Sequence, residues 1–233
     1  MTALKILSGG AAQGLVASLA PKFKELTGFD IDGEFGAVGA MADKLGAPAD
    51  LVILTAAIVA KLVQENLVVP ASMSDIGLVE TAVAVRAGDS LVTVNDAAAL
   101  REALLATDAI FVPDTKASTA GIHVANVLHQ LGIANEVAAR LKIFPNGATA
   151  MRHLAETDAL QPIGCTQSTE IISTAGVTLS GSLPPGCELS TVYTAAVTTR
   201  AAAARQAQSL IDLLIGAEQH DARERAGFLN AGQ

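Results

Sequence analysis

Three times in this chain a short apolar run ends in a loop of small residues and opens directly into an amphipathic helical pattern. Residues 3–7 lead into Ser8-Gly9-Gly10-Ala11-Ala12-Gln13-Gly14 and a helix through Leu15, Leu19, Phe23 and Leu26, with Gly28 where a C-terminal cap belongs. Residues 31–35 lead into Gly36-Ala37-Val38-Gly39-Ala40 and a helix through Met41 and Leu45. Residues 109–112 lead into PDTKASTAGIHVANVLHQLG, where Ser118 or Thr119 caps a helix whose first turn carries Ala120 and Gly121. Strands and helices alternating at this length predict an α/β fold with parallel sheets covered by helices on both faces. Every such loop then sits beyond the carboxyl end of a strand, where open α/β sheets collect ligands.

Each loop has the ingredients for holding an anion. The first N–H groups of a helix lack helix partners, and the helix dipole is positive there. Gly and Ala add little bulk, and Ser8, Ser118 and Thr119 add hydroxyls. The first loop is not the dinucleotide fingerprint, because its glycine spacing differs.

The rest of the chain extends the pattern. Residues 51–54 read as a buried strand before a helix through Ile58, Leu62 and Val63. Residues 79–86 form a longer strand near a crossing between two lobes, and Asp96 caps a helix through Leu100 and Leu104. Asn135 reads as another cap, and residues 142–144 as a short strand. Asn146-Gly147-Ala148-Thr149 leads a helix with Met151 and Leu154, and residues 162–166 form a strand before Gln167-Ser168-Thr169-Glu170. Residues 176–179 and 189–197 read as strands, 201–215 and about 218–226 as helices.

Composition narrows the function classes. The chain has 233 residues, 51% hydrophobic and 16% charged, which fits a folded chain rather than a disordered one. Its net charge is −8 and its aromatics only 3%, so a nucleic-acid partner is not expected. No apolar run is long enough for membrane insertion. MTALKILSGG has no basic, apolar and cleavage regions of a leader. The chain as written is therefore expected in the cytoplasm, or in the periplasm if an export leader has been trimmed. Two cysteines, Cys165 and Cys187, are no disulfide framework. The four histidines show no metal-ligand spacing, and neither a metal nor a cofactor is expected.

The stretches ILSGGAAQGLVASLAPKFKELTG, FGAVGAMADKLGAPADLVILT, VAVRAGD, STAGIHVANVLHQLGI, IGCTQSTEI and GSLPPGCELSTVYTAAV follow one another over nearly the whole chain. In this order they resemble the type II periplasmic solute-binding fold, in its molybdate-binding-protein-like branch. The resemblance implies two doubly wound α/β lobes joined by two crossing strands, with the ligand cleft between them. Residues 1–82 plus 190–233 would form lobe I and residues 83–189 lobe II. It implies ligand contacts from Ser8, Gly9, Gly10, Ala11, Val38, Gly39, Ser118, Thr119, Ala120, Gly121, Ala148, Thr149, Gln167 and Ser168, and an ABC transporter permease as partner if the protein is exported.

Two departures bear on the ligand. Molybdate binders usually carry a serine where this chain has Val38, and a tyrosine where it has Gln167. A buried oxyanion needs its lone pairs matched, so losing both hydroxyls argues against molybdate and tungstate. IGCTQSTEI is more similar to a sub-branch of organic-acid handlers that includes aconitate isomerases. Two readings stay open: a binding protein for a di- or tricarboxylate, and an isomerase moving a proton along an unsaturated polycarboxylate. The isomerase would need a base or proton carrier, and His123, Glu170 and Lys116 are the candidates.

Overall fold

The computed structural model describes residues 3–230. The chain divides into two units: residues 1–79 with 191–233, and residues 80–190. In chain order, the first unit opens with β1 (Ala3–Gly9), α1 (Gln13–Thr27), β2 (Asp30–Gly36), α2 (Val38–Asp43), β3 (Leu51–Thr55) and α3 (Ala56–Gln64). Strand β4 (Ser74–Arg86) carries the chain into the second unit. That unit holds α4 (Ala97–Ala106), β5 (Ala109–Pro113), α5 (Thr119–Gln130), α6 (Ala134–Val137), β6 (Leu141–Phe144), α7 (Gly147–Glu156), β7 (Pro162–Gln167), α8 (Ser168–Ile172) and β8 (Val177–Ser182). Strand β9 (Ser190–Val197) returns the chain to the first unit, which ends with α9 (Ala204–Ile215) and α10 (His220–Arg225).

In the first unit β1 lies between β2 and β3, all parallel, and β9 runs antiparallel on β3. The side chains of α1 that face this sheet, Leu15, Val16, Leu19 and Phe23, are buried, and so is the apolar face of α9 at Leu210, Ile211 and Leu214. One core gathers them with Leu51, Ile53 and Phe228.

In the second unit β5 lies between β6 and β7, all parallel, and β4 runs antiparallel on β7 and on β8. Two cores share this sheet. Val83, Ile110, Val112, Ile163 and Cys165 belong to one, Ala82, Ala84, Ala109 and Phe111 to the other. Alternate residues of a strand point to opposite faces, so the two cores cover the two faces. This explains why β5 and β7 are apolar without alternation: all their residues are buried.

Local capping follows the sequence. Asp96, Ser118 and Asn146 each accept a hydrogen bond from the N–H three residues on. The expected cap at Asn135 is corrected: Ile133 precedes α6 and Asn135 lies inside it. The last long helix starts at Ala204, not at residue 201. The Ala203 N–H donates to buried Asp50, and the Ala201 N–H closes a turn on Thr198, so these residues are held out of the helix. Strand β4 begins at Ser74 rather than residue 79: β9 is its neighbour in the sheet, and Leu78 also pairs with Leu229 in both directions, partners far away in sequence. Among the described residues no helix is long and apolar enough to cross a membrane.

Candidate functional site

Because β1, β2 and β3 run parallel, Ser8–Gly9–Gly10–Ala11, the turn at Val38–Gly39, and the start of α3 all lie at one edge of the first unit's sheet. The Ser8 side chain is fully buried, and its hydroxyl donates to the Gly9 carbonyl at 2.9 Å. Val38 is the first residue of α2, and its side chain is buried. It crowds Gly9 together with the buried ring of Tyr193, which comes from the start of β9 opposite Thr55. Val38 therefore offers no side-chain donor here and fills space with methyl groups.

The second unit repeats the arrangement. The carboxyl ends of β6, β5 and β7 lie side by side, which puts Asn146–Thr149, Ser118–Gly121 and Gln167–Ser168 along one edge. At the β5–α5 turn, Asp114 accepts from the N–H groups of Lys116 and Ala117 at 2.7 and 2.9 Å, which shapes the loop. Ser118 is buried, while Thr119 and Ala120 are the first two residues of the helix, so their N–H groups have no helix carbonyl to bond. Gly121 is required by close packing: a β-carbon there would lie 2.5 Å from the Pro113 carbonyl oxygen.

At the next corner the chain supplies its own carboxyl group. Glu170, one turn into α8, is buried, and its carboxylate accepts from the Thr166 hydroxyl at 2.6 Å. Burial pushes the Glu170 carboxyl above its ordinary range, opposed by the Thr166 hydroxyl and by the N–H groups of Ala148, Gln167 and Gly147. The Thr149 N–H goes to Asn146, and the Thr149 hydroxyl accepts from Arg152 at 2.9 Å. Ala148 and Thr149, expected as ligand contacts, thus have their N–H groups taken by protein acceptors. The seat at the start of α7 is occupied by the protein's own carboxylate.

The three proton-carrier candidates are not gathered into one group with free access to a ligand. The His123 ring is hydrogen-bonded to the Cys187 carbonyl at 2.8 Å, Lys116 is exposed, and Glu170 is enclosed by its four donors. Cys165 and Cys187 are free, buried thiols, and burial pushes Cys165 up to about 12.

Sequence reasoning missed the environment of Thr81 and Thr169. Thr81 lies directly opposite Gln167 in the β4–β7 register. All three side chains are buried, and their polar atoms have no hydrogen-bond partner among the described residues. By strand alternation Thr81 and Gln167 share the face of Val83 and Cys165, the face against which α5 packs Val124 and Val127. A separate cavity of about 470 Å3 lies at the opposite edge of this sheet, lined by Val85, Leu91, Ala106, Leu160 and Ile163.

A family model described as bacterial extracellular solute-binding protein matches residues 4–229. The chain is 24% identical over 241 residues to an aconitate isomerase from a Pseudomonas species, covering 98% of this chain and 88% of that one. Its fold is similar to the Azotobacter vinelandii periplasmic molybdate-binding protein, with a TM-score of 0.81 at 21% identity over 97% of this chain and 98% of the other. It is also similar to a sulfate-binding protein from Mycobacterium tuberculosis, with a TM-score of 0.77 at 17% identity over 100% of this chain and 88% of the other.

Proposed function

The chain belongs to the bacterial extracellular solute-binding proteins, and from that premise we propose that it binds a small organic di- or tricarboxylate. The observation that carries this reading is the shared placement of the donor-rich corners. Ser8–Ala11 in one unit and Ser118–Ala120 in the other stand at the carboxyl edges of parallel strands. Hydroxyls and unpaired helix N–H groups at such edges favour negative charge. A carboxylate suits the site better than a tetrahedral oxyanion. Val38 supplies methyl groups, and the α7 start already holds Glu170, so neither corner offers a compact dianion a further donor. The relative named for aconitate, itself a tricarboxylate, supports the same ligand class.

Binding is favoured over isomerisation because His123 and Glu170 are both committed to internal hydrogen bonds. A permease of the ABC transporter type is the partner this reading assigns. Ser118→Asp tests it. Aspartate keeps an N-cap acceptor, so the helix start is retained, but it sets a negative charge at the proposed anion position. The variant is expected to fold like the parent and to lose the thermal stabilisation that citrate and cis-aconitate give the parent. Stabilisation of the parent by molybdate and by no carboxylate refutes the ligand class. Conversion of cis-aconitate, or deuterium uptake into it from D2O, followed by NMR, would favour the isomerase.

A further inference from the structure

The carboxyl edge of the second unit carries four buried side-chain atoms with no hydrogen-bond partner among the described residues. They are Nε2 and Oε1 of Gln167, Oγ1 of Thr81 and Oγ1 of Thr169. The three residues are 3%, 1% and 2% exposed. Buried polar groups of native proteins are nearly always paired, and leaving one unpaired is costly. An apolar side chain at any of these positions would avoid that cost. The presence of three such polar side chains, on β4, β7 and the start of α8, is a sign that something else pairs them.

The chemistry of these atoms says what that partner must offer. Both threonine hydroxyls donate or accept, and Nε2 of Gln167 only donates. Oε1 of Gln167 only accepts, so it needs a donor. A fully ionised carboxylate or oxyanion has acceptors alone and would face Oε1 with like partial charge. An ammonium group would supply donors but would want a carboxylate in return. Three acidic groups of this unit are already engaged: Glu170 by Thr166 and three N–H groups, Asp114 by the N–H groups of Lys116 and Ala117, and Glu80, beside Thr81 in the chain, by the Ser182 hydroxyl. A hydroxyl supplies the donor without an added charge.

We infer that the ligand is a hydroxycarboxylate, and that Gln167 is the residue that determines this, its amide taking a carboxylate oxygen at Nε2 and the hydroxyl at Oε1. This deepens the carboxylate reading and rests on it. Thr81, opposite Gln167 in the register, and Thr169, two residues on, complete the set of polar contacts.

Matched pairs of acids separate this inference from the reading beneath it. Citrate and tricarballylate differ by one hydroxyl, as do malate and succinate. In calorimetric titrations of the whole chain, the hydroxylated member of the better-bound pair is expected to bind about tenfold tighter or more, the worth of one well-made hydrogen bond in a buried site. Gln167→Met keeps the length of the side chain and removes both amide atoms. It is expected to bring the two members of the pair within about twofold, and to raise the denaturation midpoint of the ligand-free protein by relieving unpaired polar groups. Equal affinities in the parent would overturn the hydroxyl inference and leave the carboxylate reading standing. Binding of neither acid, with molybdate or sulfate bound instead, would overturn both. The parent ratio decides the matter whether or not the variant folds, and Thr81→Val, expected to lower the same ratio, provides a second variant.

Discussion

Gly147→Ala puts one methyl group into the most crowded corner of the second unit. Its β-carbon would lie 2.5 Å from Cδ of Glu170 and closer still to the carboxylate oxygen and the Thr166 hydroxyl. The backbone of α7 cannot retreat without moving Asn146, which caps it, so the carboxylate has to move. Moving it breaks the Thr166 bond and bends the N–H bonds from Gly147, Ala148 and Gln167. At a pH where Glu170 is ionised, hydrogen bonds to its charge are worth about 1.5–3 kcal/mol each, and stripping partners from it costs about 3–5 kcal/mol. Alanine's better helix propensity returns about 0.5–1 kcal/mol. The net loss is about 2–4 kcal/mol, which lowers Tm by about 4–16 °C in a chain of this length. Urea denaturation of a double-mutant cycle with Glu170→Ala isolates the cause. With the carboxylate gone and the Thr166 hydroxyl free to turn away, Gly147→Ala should cost at least about 1 kcal/mol less than in the parent. An equal cost in both backgrounds would refute the steric account.

The other predictions concern titration and reactivity. Glu170 has a folded-state pKa above its unfolded value, so the folded state binds the proton more tightly, and the stability this group contributes is lost as pH rises from about 4.5 through the folded value. Glu170→Gln cannot ionise, so its stability relative to the parent should improve between pH 4 and pH 8 in urea titrations; a drift the other way would remove Glu170 as the cause. The Cys165 thiol, pushed up to about 12 by burial, should not react with Ellman's reagent at pH 8 until urea unfolds the chain. Fast labelling of Cys165 in native buffer would contradict its burial.

Features set by neighbouring residues were legible from the sequence. The caps at Asp96, Ser118 and Asn146, the Gly28 helix end and the order of strands and helices depend on residues within a few positions of one another. Features set by distant partners were not. Glu170 is a proton-carrier candidate in the sequence, whereas its carboxyl group is held by the Thr166 hydroxyl and by N–H groups that include the start of a different helix, at Gly147 and Ala148. His123 stands among the proton-carrier candidates in the sequence because no local cue reveals that its ring meets the carbonyl of Cys187, 64 residues away. Gln167 was a candidate by position, but the burial of both its amide atoms opposite Thr81 depends on an antiparallel pairing between β4 and β7 that the sequence does not mark.

The central claim is that particular backbone corners, and not others of similar composition, receive an anionic solute. Backbone amide NMR of 15N-labelled protein titrated with citrate tests it residue by residue. The amides of Gly9, Gly10, Ala11, Thr119, Ala120 and Ser168 should shift and saturate as citrate is added. Those of Ala148 and Thr149, bonded to Glu170 and Asn146, should move little by comparison. Shifts as large at Ala148 and Thr149, or shifts centred on the cavity beside Leu91 and Leu160, would contradict the account.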